Sequence, residues 1–371
     1  MKYTLHFFTF LFIIQLFTSC DLEKKADPNA MKYTGISQKE VDWWNNLDSE
    51  WQVIFSEIAG IKKEITKDHL RKLFSVKSIT IKKSKIQNLN PIARFKKLES
   101  IFCTKSHVSN INGLAKLSQL KKITINRNNL KSIEALKDLQ NLEILILNHN
   151  RIKSLKPLEN LKNLKQLNIS YNGIDTLEGL DSLTSLTQLL ATNNRIRSIN
   201  PIKNNSELIR LYINNNRITN LDSLHNCKKI MDINLQWNPI KDVESLKHFP
   251  ELKKLNIEDT SVESLEPLKD LILLEKLVLT DIPITSLKGV EKLENLKELY
   301  CKKTNISDLV PLKDLFNLSK LVVSYTNVSS LEPLKSDERT NRIKIFCRDT
   351  GISQEYIDEF TKDKKGYEIH L

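Results

Sequence analysis

Cysteine is scarce in this 371-residue chain: there are five, and no two form a C-x-x-C pair. That excludes a disulfide framework and the usual sulfur-based metal motifs. Glycine numbers only eight, no P-loop is present, and the lone Asn172-Gly173 reads as a turn rather than a phosphate cradle. H-E-x-x-H and G-x-S-x-G are also missing. His149 and His225 fall in different parts of the pattern described below, and no nucleophile–base pairing follows from their spacing. The chain is therefore expected to be no enzyme, with no catalytic residues, no cofactor and no metal.

Long apolar runs are missing as well, except at the start. MKYTLHFFTFLFIIQLFTSC carries one cation, Lys2, before the run from Leu5 to Phe17, which His6, Thr9 and Gln15 interrupt. That run is too short for a comfortable membrane span and has the shape of a secretory signal. It ends in Phe17-Thr18-Ser19-Cys20, which resembles the lipobox of bacterial lipoproteins. The resemblance implies removal of residues 1–19 and acylation of Cys20, with several acyl chains giving stable anchoring. An ordinary cleaved signal is the alternative. Residues 20–35 are polar, include Pro28, and are expected to be a flexible tether.

Charge is lopsided but spread out. The chain has 57 Lys and Arg against 45 Asp and Glu, a formal +12; without Lys2 the count is 56 against 45, or +11. The lysines occur in every repeat rather than in one block, so they read as a solvated convex face, and no nucleic-acid partner is expected.

What the chain does have is a period. LEILILNHNRIKSLKPLENLKN, residues 142–163, recurs 22 residues earlier as LKKITINRNNLKSIEALKDLQN and 22 later as LKQLNISYNGIDTLEGLDSLTS. In one register, units begin at Val76 and then every 22 residues from Leu98 to Leu318, twelve in all without insertion or deletion. A two-residue slip in Ser336 to Asn341 precedes a degenerate thirteenth unit. The L-x-x-L-x-L-x-x-N-x-I core is the leucine-rich repeat signature, and a fixed period of this length means a solenoid. The fold class expected is an α/β solenoid: a parallel concave sheet, a mostly 3₁₀ or extended convex side, and helical closure at the N-terminus. Thirteen strands about 4.8 Å apart would make a sheet on the order of 60 Å long.

Asn128, Asn150, Asn172, Asn194, Asn216 and Asn238 occupy the signature slot, where inward amides can form a ladder along the backbone. Elsewhere the slot holds Ser84, Ser106, Thr260, Thr304, Thr326 and Thr350. Ile282 cannot bond there, so the unit starting at Leu274 is expected to be irregular. Cys103, Cys227, Cys301 and Cys347 sit where other units carry Leu, Ile or Val and read as small buried hydrophobes.

Residues 36–75 are expected to cap the apolar end of the first unit. Ser37-x-x-Glu40 and Ser49-x-x-Gln52 fit the capping box. Gly60 is a helix stop and Thr66 a further cap. Trp43, Trp44 and Trp51 read as core. The repeats run through 352, and 353–371 is expected to close the far end, with a helix from Ser353 to about Lys362 and a last strand carrying Tyr367, Ile369 and Leu371.

Function is expected in the positions between the leucines, because alternate strand residues project onto the concave face. These include Phe102, Ile144, Ile146, Leu190, Tyr212, Val278, Tyr300, Val322 and Phe346. The adjoining position adds His149, Tyr171, Trp237 and Tyr325. Exposed Trp and Tyr on a rigid surface suit binding, and Trp237, Tyr212 and Tyr171 are the first choices, with Arg210, Asp232, Lys254 and Glu258 as a polar rim.

The unit L-x-x-L-x-L-x-x-N-x-I-x-x-L-x-P-L resembles the internalin type of bacterial leucine-rich repeat protein over 76–352. It also resembles the repeats of a eukaryotic protein-phosphatase regulatory subunit. The resemblance implies protein binding on the concave face. The N-terminal cap differs from that of internalins and no wall-anchor motif ends the chain, so host-cell adhesion does not carry over. The expected function is a monomeric envelope protein, lipid-anchored to the outer membrane or cell surface through Cys20, that binds another protein or a surface polymer. The alternative is a cytosolic regulatory scaffold like the phosphatase subunit.

Overall fold

The computed structural model describes residues 31–336, 342–362 and 366–371. The expected signal, Cys20, tether residues up to 30, and most of the slip before the thirteenth unit lie outside them.

The chain enters as β1 (Lys32–Thr34), α1 (Gln38–Asn45), α2 (Ser49–Ala59), β2 (Glu64–Thr66) and α3 (Lys67–Ser75). Glu40 accepts from the Ser37 amide at 2.8 Å and from its hydroxyl at 2.7 Å, closing the capping box of α1. At α2 the cap is Asp48 and not Ser49: its carboxylate accepts the Trp51 amide at 3.1 Å. A carboxylate one residue upstream outcompetes the serine because it also meets the positive helix end. Gly60 ends α2 at φ +80°, a left-handed position that favours glycine. Thr66 accepts the His69 amide at 3.3 Å and starts α3.

One expectation is corrected here. Lys32–Thr34 is not tether: it pairs in parallel with Glu64–Thr66, residue for residue, so the cap is helical plus a small sheet. Trp44 and Trp51 are fully buried, and Trp51 Nε1 donates to the Asn88 carbonyl at 3.2 Å. Phe55 packs on Phe95 at 5.2 Å between ring centroids. These aromatics seal the open end of the first unit.

The repeats stack as a leucine-rich repeat solenoid. Among the described residues the large sheet has fourteen parallel strands in strict sequence order. Partners lie 22 residues apart, as in Ile79↔Ile101, Leu145↔Leu167 and Leu277↔Leu299; after the slip the offset becomes 24, with Leu321↔Ile345. The fourteenth strand is Tyr367–His370. It joins the same sheet beside Ile343–Phe346. The helix before it, α4 (Gln354–Thr361), is capped by Ser353, which accepts the Tyr356 amide at 3.1 Å. Tyr356 in turn accepts the Leu331 amide at 2.7 Å through its hydroxyl oxygen.

Convex returns are short 3₁₀ turns such as Lys156–Leu158 and Glu266–Leu268. Their prolines stand in the first turn, where the missing N–H would have no helical partner anyway. Gly179 and Gly289 replace that proline at φ +99° and +104°, and a Cβ there would lie 2.4 Å from the carbonyl oxygens of Leu155 and Leu265. The unit starting at Leu274 therefore departs from its neighbours at Gly289, not at Ile282. Ile282 is 3% exposed and the strand beside it keeps register. The turn holds through its backbone: the Asp281 amide reaches the Lys302 carbonyl at 2.9 Å.

The signature slot behaves in two ways. Asn150 accepts the Leu130 amide of the preceding unit at 3.0 Å and donates to the carbonyls of Ile125 (2.7 Å) and Leu147 (2.9 Å). Asn172, Asn194, Asn216 and Asn238 repeat the pattern, each reaching back 20 residues with its oxygen and 25 with its nitrogen. Asn128 likewise ties to Val108 and Cys103. Thr260, Thr304 and Thr326 donate only to the carbonyl three residues earlier in their own unit, at 2.6–2.7 Å.

All four described cysteines are free and buried. Burial pushes the thiols of Cys103, Cys227 and Cys347 up to about 11, and that of Cys301 up as well. Asn205 was not foreseen as special. It is wholly buried in the column of Leu161, Leu183 and Cys227; its nitrogen donates to the Leu183 carbonyl at 3.1 Å, while its side-chain oxygen has no partner.

Candidate interaction surface

The three-residue strands of the large sheet each bury their middle residue between two that are half-buried or exposed, as Leu145 sits between Ile144 and Ile146 and Leu211 between exposed Arg210 and half-buried Tyr212. The sequence alternation explains this, since one strand face meets the core and the other meets solvent. Phe102, Ile144, Ile146, Leu190, Tyr212, Val278, Tyr300, Val322 and Phe346 all lie in such half-buried positions. Cross-strand register lines them up: Leu190↔Tyr212, Val278↔Tyr300, Tyr300↔Val322, Val322↔Phe346.

Just beyond each strand the backbone turns left-handed. Thirteen residues do so at φ 52–60°, from Lys83 and Lys105 through His149, Tyr171 and Trp237 to Tyr325 and Asp349, and none is glycine. Such a φ is uncommon for residues with a Cβ and persists where surroundings over-determine it. Here twelve of these amides, from Lys83 to Tyr325, stay tied to the next unit, for example His149 to Ser170 O at 2.9 Å and Trp237 to Glu258 O at 3.0 Å. No glycine marks this row. The turn displays large side chains: Tyr171, Trp237 and Tyr325 are 47%, 49% and 40% exposed.

These residues are held by their neighbours rather than free. His149 stacks on Tyr171 at 4.2 Å with an 11° interplanar angle. Burial and the nearby Arg127 cation lower the His149 pKa, favouring the neutral ring. Trp237 Nε1 donates to Asp259 at 2.6 Å. Tyr212 donates its hydroxyl to Asp232 at 2.8 Å, and Arg210 Nε lies 3.3 Å from the same carboxylate. Burial and then Asp232 push the Tyr212 phenol up to about 12. Glu258 is raised by burial and by the Asp259 and Asp281 carboxylates.

Register thus separates the expected residues into groups. His149 with Tyr171 forms one, Arg210 with Tyr212 and Asp232 a second, Trp237 with Asp259 and Glu258 a third. A fourth, around Tyr300, Tyr325 and Phe346, includes two lysines that the sequence reading passed over, Lys302 and Lys320 (below). Reading the strand rows across units, instead of unit by unit, would have found them. Two shallow depressions lie on the sheet: one of about 260 Å³ by Tyr212, Asp232, Lys254 and Lys276, another of about 320 Å³ by Tyr300, Tyr325 and Phe346.

Among the described residues no group of three His, Cys, Asp or Glu is placed to hold a metal ion. No described helix is long and apolar enough to cross a membrane.

Comparison with known proteins agrees on the architecture. The family model for leucine rich repeats (two copies) matches residues 140–182 and 162–204. An internalin (inlF) of Listeria monocytogenes superposes with a TM-score of 0.79 at 22% identity, covering 87% of this chain and 95% of that one. A leucine-rich repeat protein of Leptospira interrogans gives 0.75 at 20% identity, covering 91% and 99%. A plant peptide hormone receptor in complex with RGF2 gives 0.57 at 15% identity, covering 80% and 64%. At these identities the likeness speaks for the fold. No curated protein sequence matches the chain significantly.

Proposed function

We propose that this chain is a binding module that captures another protein along its concave sheet, and that a lipid on Cys20 holds it at the bacterial envelope. The observation that carries the first half is the rigid parallel sheet displaying Tyr171, Trp237 and Tyr325 beside half-buried Tyr212 and Tyr300. Aromatic side chains fixed by neighbours bind with little entropy loss, which is how a flat surface acquires affinity. A plant receptor of similar fold is complexed with RGF2, which supports partner binding by a solenoid of this kind. The second half rests on the sequence before Cys20 alone.

Capture from native envelopes tests the binding. The full chain should retain a defined partner, and Tyr171→Ala/Tyr212→Ala/Trp237→Ala should lose it. Retention by the triple variant sinks the site assignment. For the anchor, Cys20→Ala should leave the protein unacylated and released from membranes; a variant still membrane-bound and of unchanged size rules the anchor out.

A further inference from the structure

The depression between Tyr300 and Phe346 has a chemistry of its own. Three aromatic rings, of Tyr300, Tyr325 and Phe346, and three cations, Lys302, Lys320 and Arg348, surround a floor that includes Val322. No carboxylate lines it. The Lys320 ammonium lies 5.1 Å from the Tyr300 ring centroid and 5.5 Å from that of Phe346; Lys302 stands 5.3 Å from the Tyr325 ring.

Other cations on this part of the sheet are neutralised, Arg348 of the lining among them. Lys276 pairs with Glu298 at 2.8 Å, Lys344 with Glu368 at 3.2 Å, and Arg348 with Asp349 at 3.1 Å. Among the described residues, none of the carboxylates forms an ion pair with Lys302 or Lys320. Both are half-buried against rings, where attraction to a partner anion is screened less than at an open surface. Lys302 acts on Glu258 and Lys320 on Glu298 only through space, so an anionic group would gain two ammoniums free of a direct ion pair, and an apolar neighbour would gain the aromatic walls.

The second depression adds direction. Its central strand, Lys254–Asn256, lies three strands before Lys320–Val322, an offset of about 14 Å at the usual strand spacing. Exposed Lys254, which has no ion-pair partner among the described residues, stands there. An extended peptide covers that distance in about four or five residues.

We propose that the Tyr300–Phe346 depression takes an acidic side chain flanked by an apolar one, presented by an extended segment of the partner protein that also places a second acidic residue at Lys254. This deepens the reading of the concave sheet as a protein-binding surface and depends on it.

A random dodecapeptide library displayed on phage, panned on the detergent-solubilised full chain, tests the assignment. Lys302→Gln/Lys320→Gln serves as the counter-target, and Lys131→Gln/Lys162→Gln/Lys228→Gln, on the return segments, as a control losing at least as much charge. Peptides retained by the wild type and the control but lost on the double variant should be rich in Asp or Glu beside an apolar residue, with a second acid four or five positions away. Their Kd should rise at least tenfold in Lys302→Gln/Lys320→Gln and stay within about twofold in the control. Peptides without acidic enrichment, or equal binding to the double variant, overturn the proposal. So does oligogalacturonate binding more tightly than every selected peptide and only to the wild type, which would make the site one for anionic polysaccharide. If envelope capture is lost in the Tyr171/Tyr212/Trp237 variant but kept in the lysine double variant, this proposal falls and the wider reading stands; if both variants keep the partner, both fall.

Discussion

The units from Leu120 to Glu251 and those from Leu252 to Lys335 share one backbone and one strand register, yet they are tied differently. In the first stretch each signature asparagine makes bonds into the preceding unit as well as within its own. In the second, threonine reaches only the carbonyl three residues back in its own unit. A carboxamide has a donor and an acceptor far enough apart to bridge two turns, whereas the hydroxyls of Thr260, Thr304 and Thr326 are spent on that carbonyl. The second stretch carries most of the cationic and aromatic depression, which Phe346 and Arg348 of the following unit complete. In a solenoid, stability is a sum of units and their interfaces, so the two halves can differ locally without any change of fold.

Removing a bridge should cost most. Asn150→Ala leaves the Leu130 amide and two carbonyls without their side-chain partners, and about 2–4 kcal/mol of unfolding free energy should go, read by urea titration. A loss below about 1 kcal/mol would show that the ladder is incidental. Asn205→Leu should go the other way. It removes a buried oxygen that has no partner and restores the residue type of Leu161 and Leu183, so stability should rise by about 1 kcal/mol, seen as a higher Tm. Thr304→Val deletes a single bond to the Cys301 carbonyl and should cost only about 0.5–1 kcal/mol. The contrast with Asn150→Ala is the informative quantity.

The smallest effect concerns pH. Burial, Asp259 and Asp281 raise the Glu258 pKa in the folded chain above its ordinary 4.5. The folded state then holds that proton more tightly than the unfolded one, so stability is lost as pH rises through and above 4.5. Glu258→Gln removes the penalty. Its Tm should exceed the wild type's slightly at pH 7, and the two should coincide well below pH 4.5. A gain that persists at low pH would mean packing rather than charge.

How much of this was legible beforehand follows from what each feature depends on. Leu145, Leu167 and Leu189 announce the solenoid because burial demands the same residue type at the same spacing. The asparagine slot was visible for the same reason, and so was the row holding Trp237 and Tyr171. The left-handed turns at those very residues were not, because Lys, His, Tyr, Trp and Asp carry no glycine signal. Lys32–Thr34 was too short to show an alternation. Ile282 misled because its side chain was judged alone, when the backbone bonds of Asp281 hold the turn. Lys302 and Lys320 look like ordinary surface lysines until register sets them against Tyr325, Tyr300 and Phe346.

Hydrogen exchange of strand-centre amides tests the two-halves account most directly, using units equally far from the ends of the array: Leu145 against Leu277, and Leu167 against Leu255. In the native full chain the asparagine-tied members, Leu145 and Leu167, should exchange at least about tenfold more slowly than their counterparts. Equal rates in both pairs, or slower exchange at Leu277 and Leu255, would contradict it.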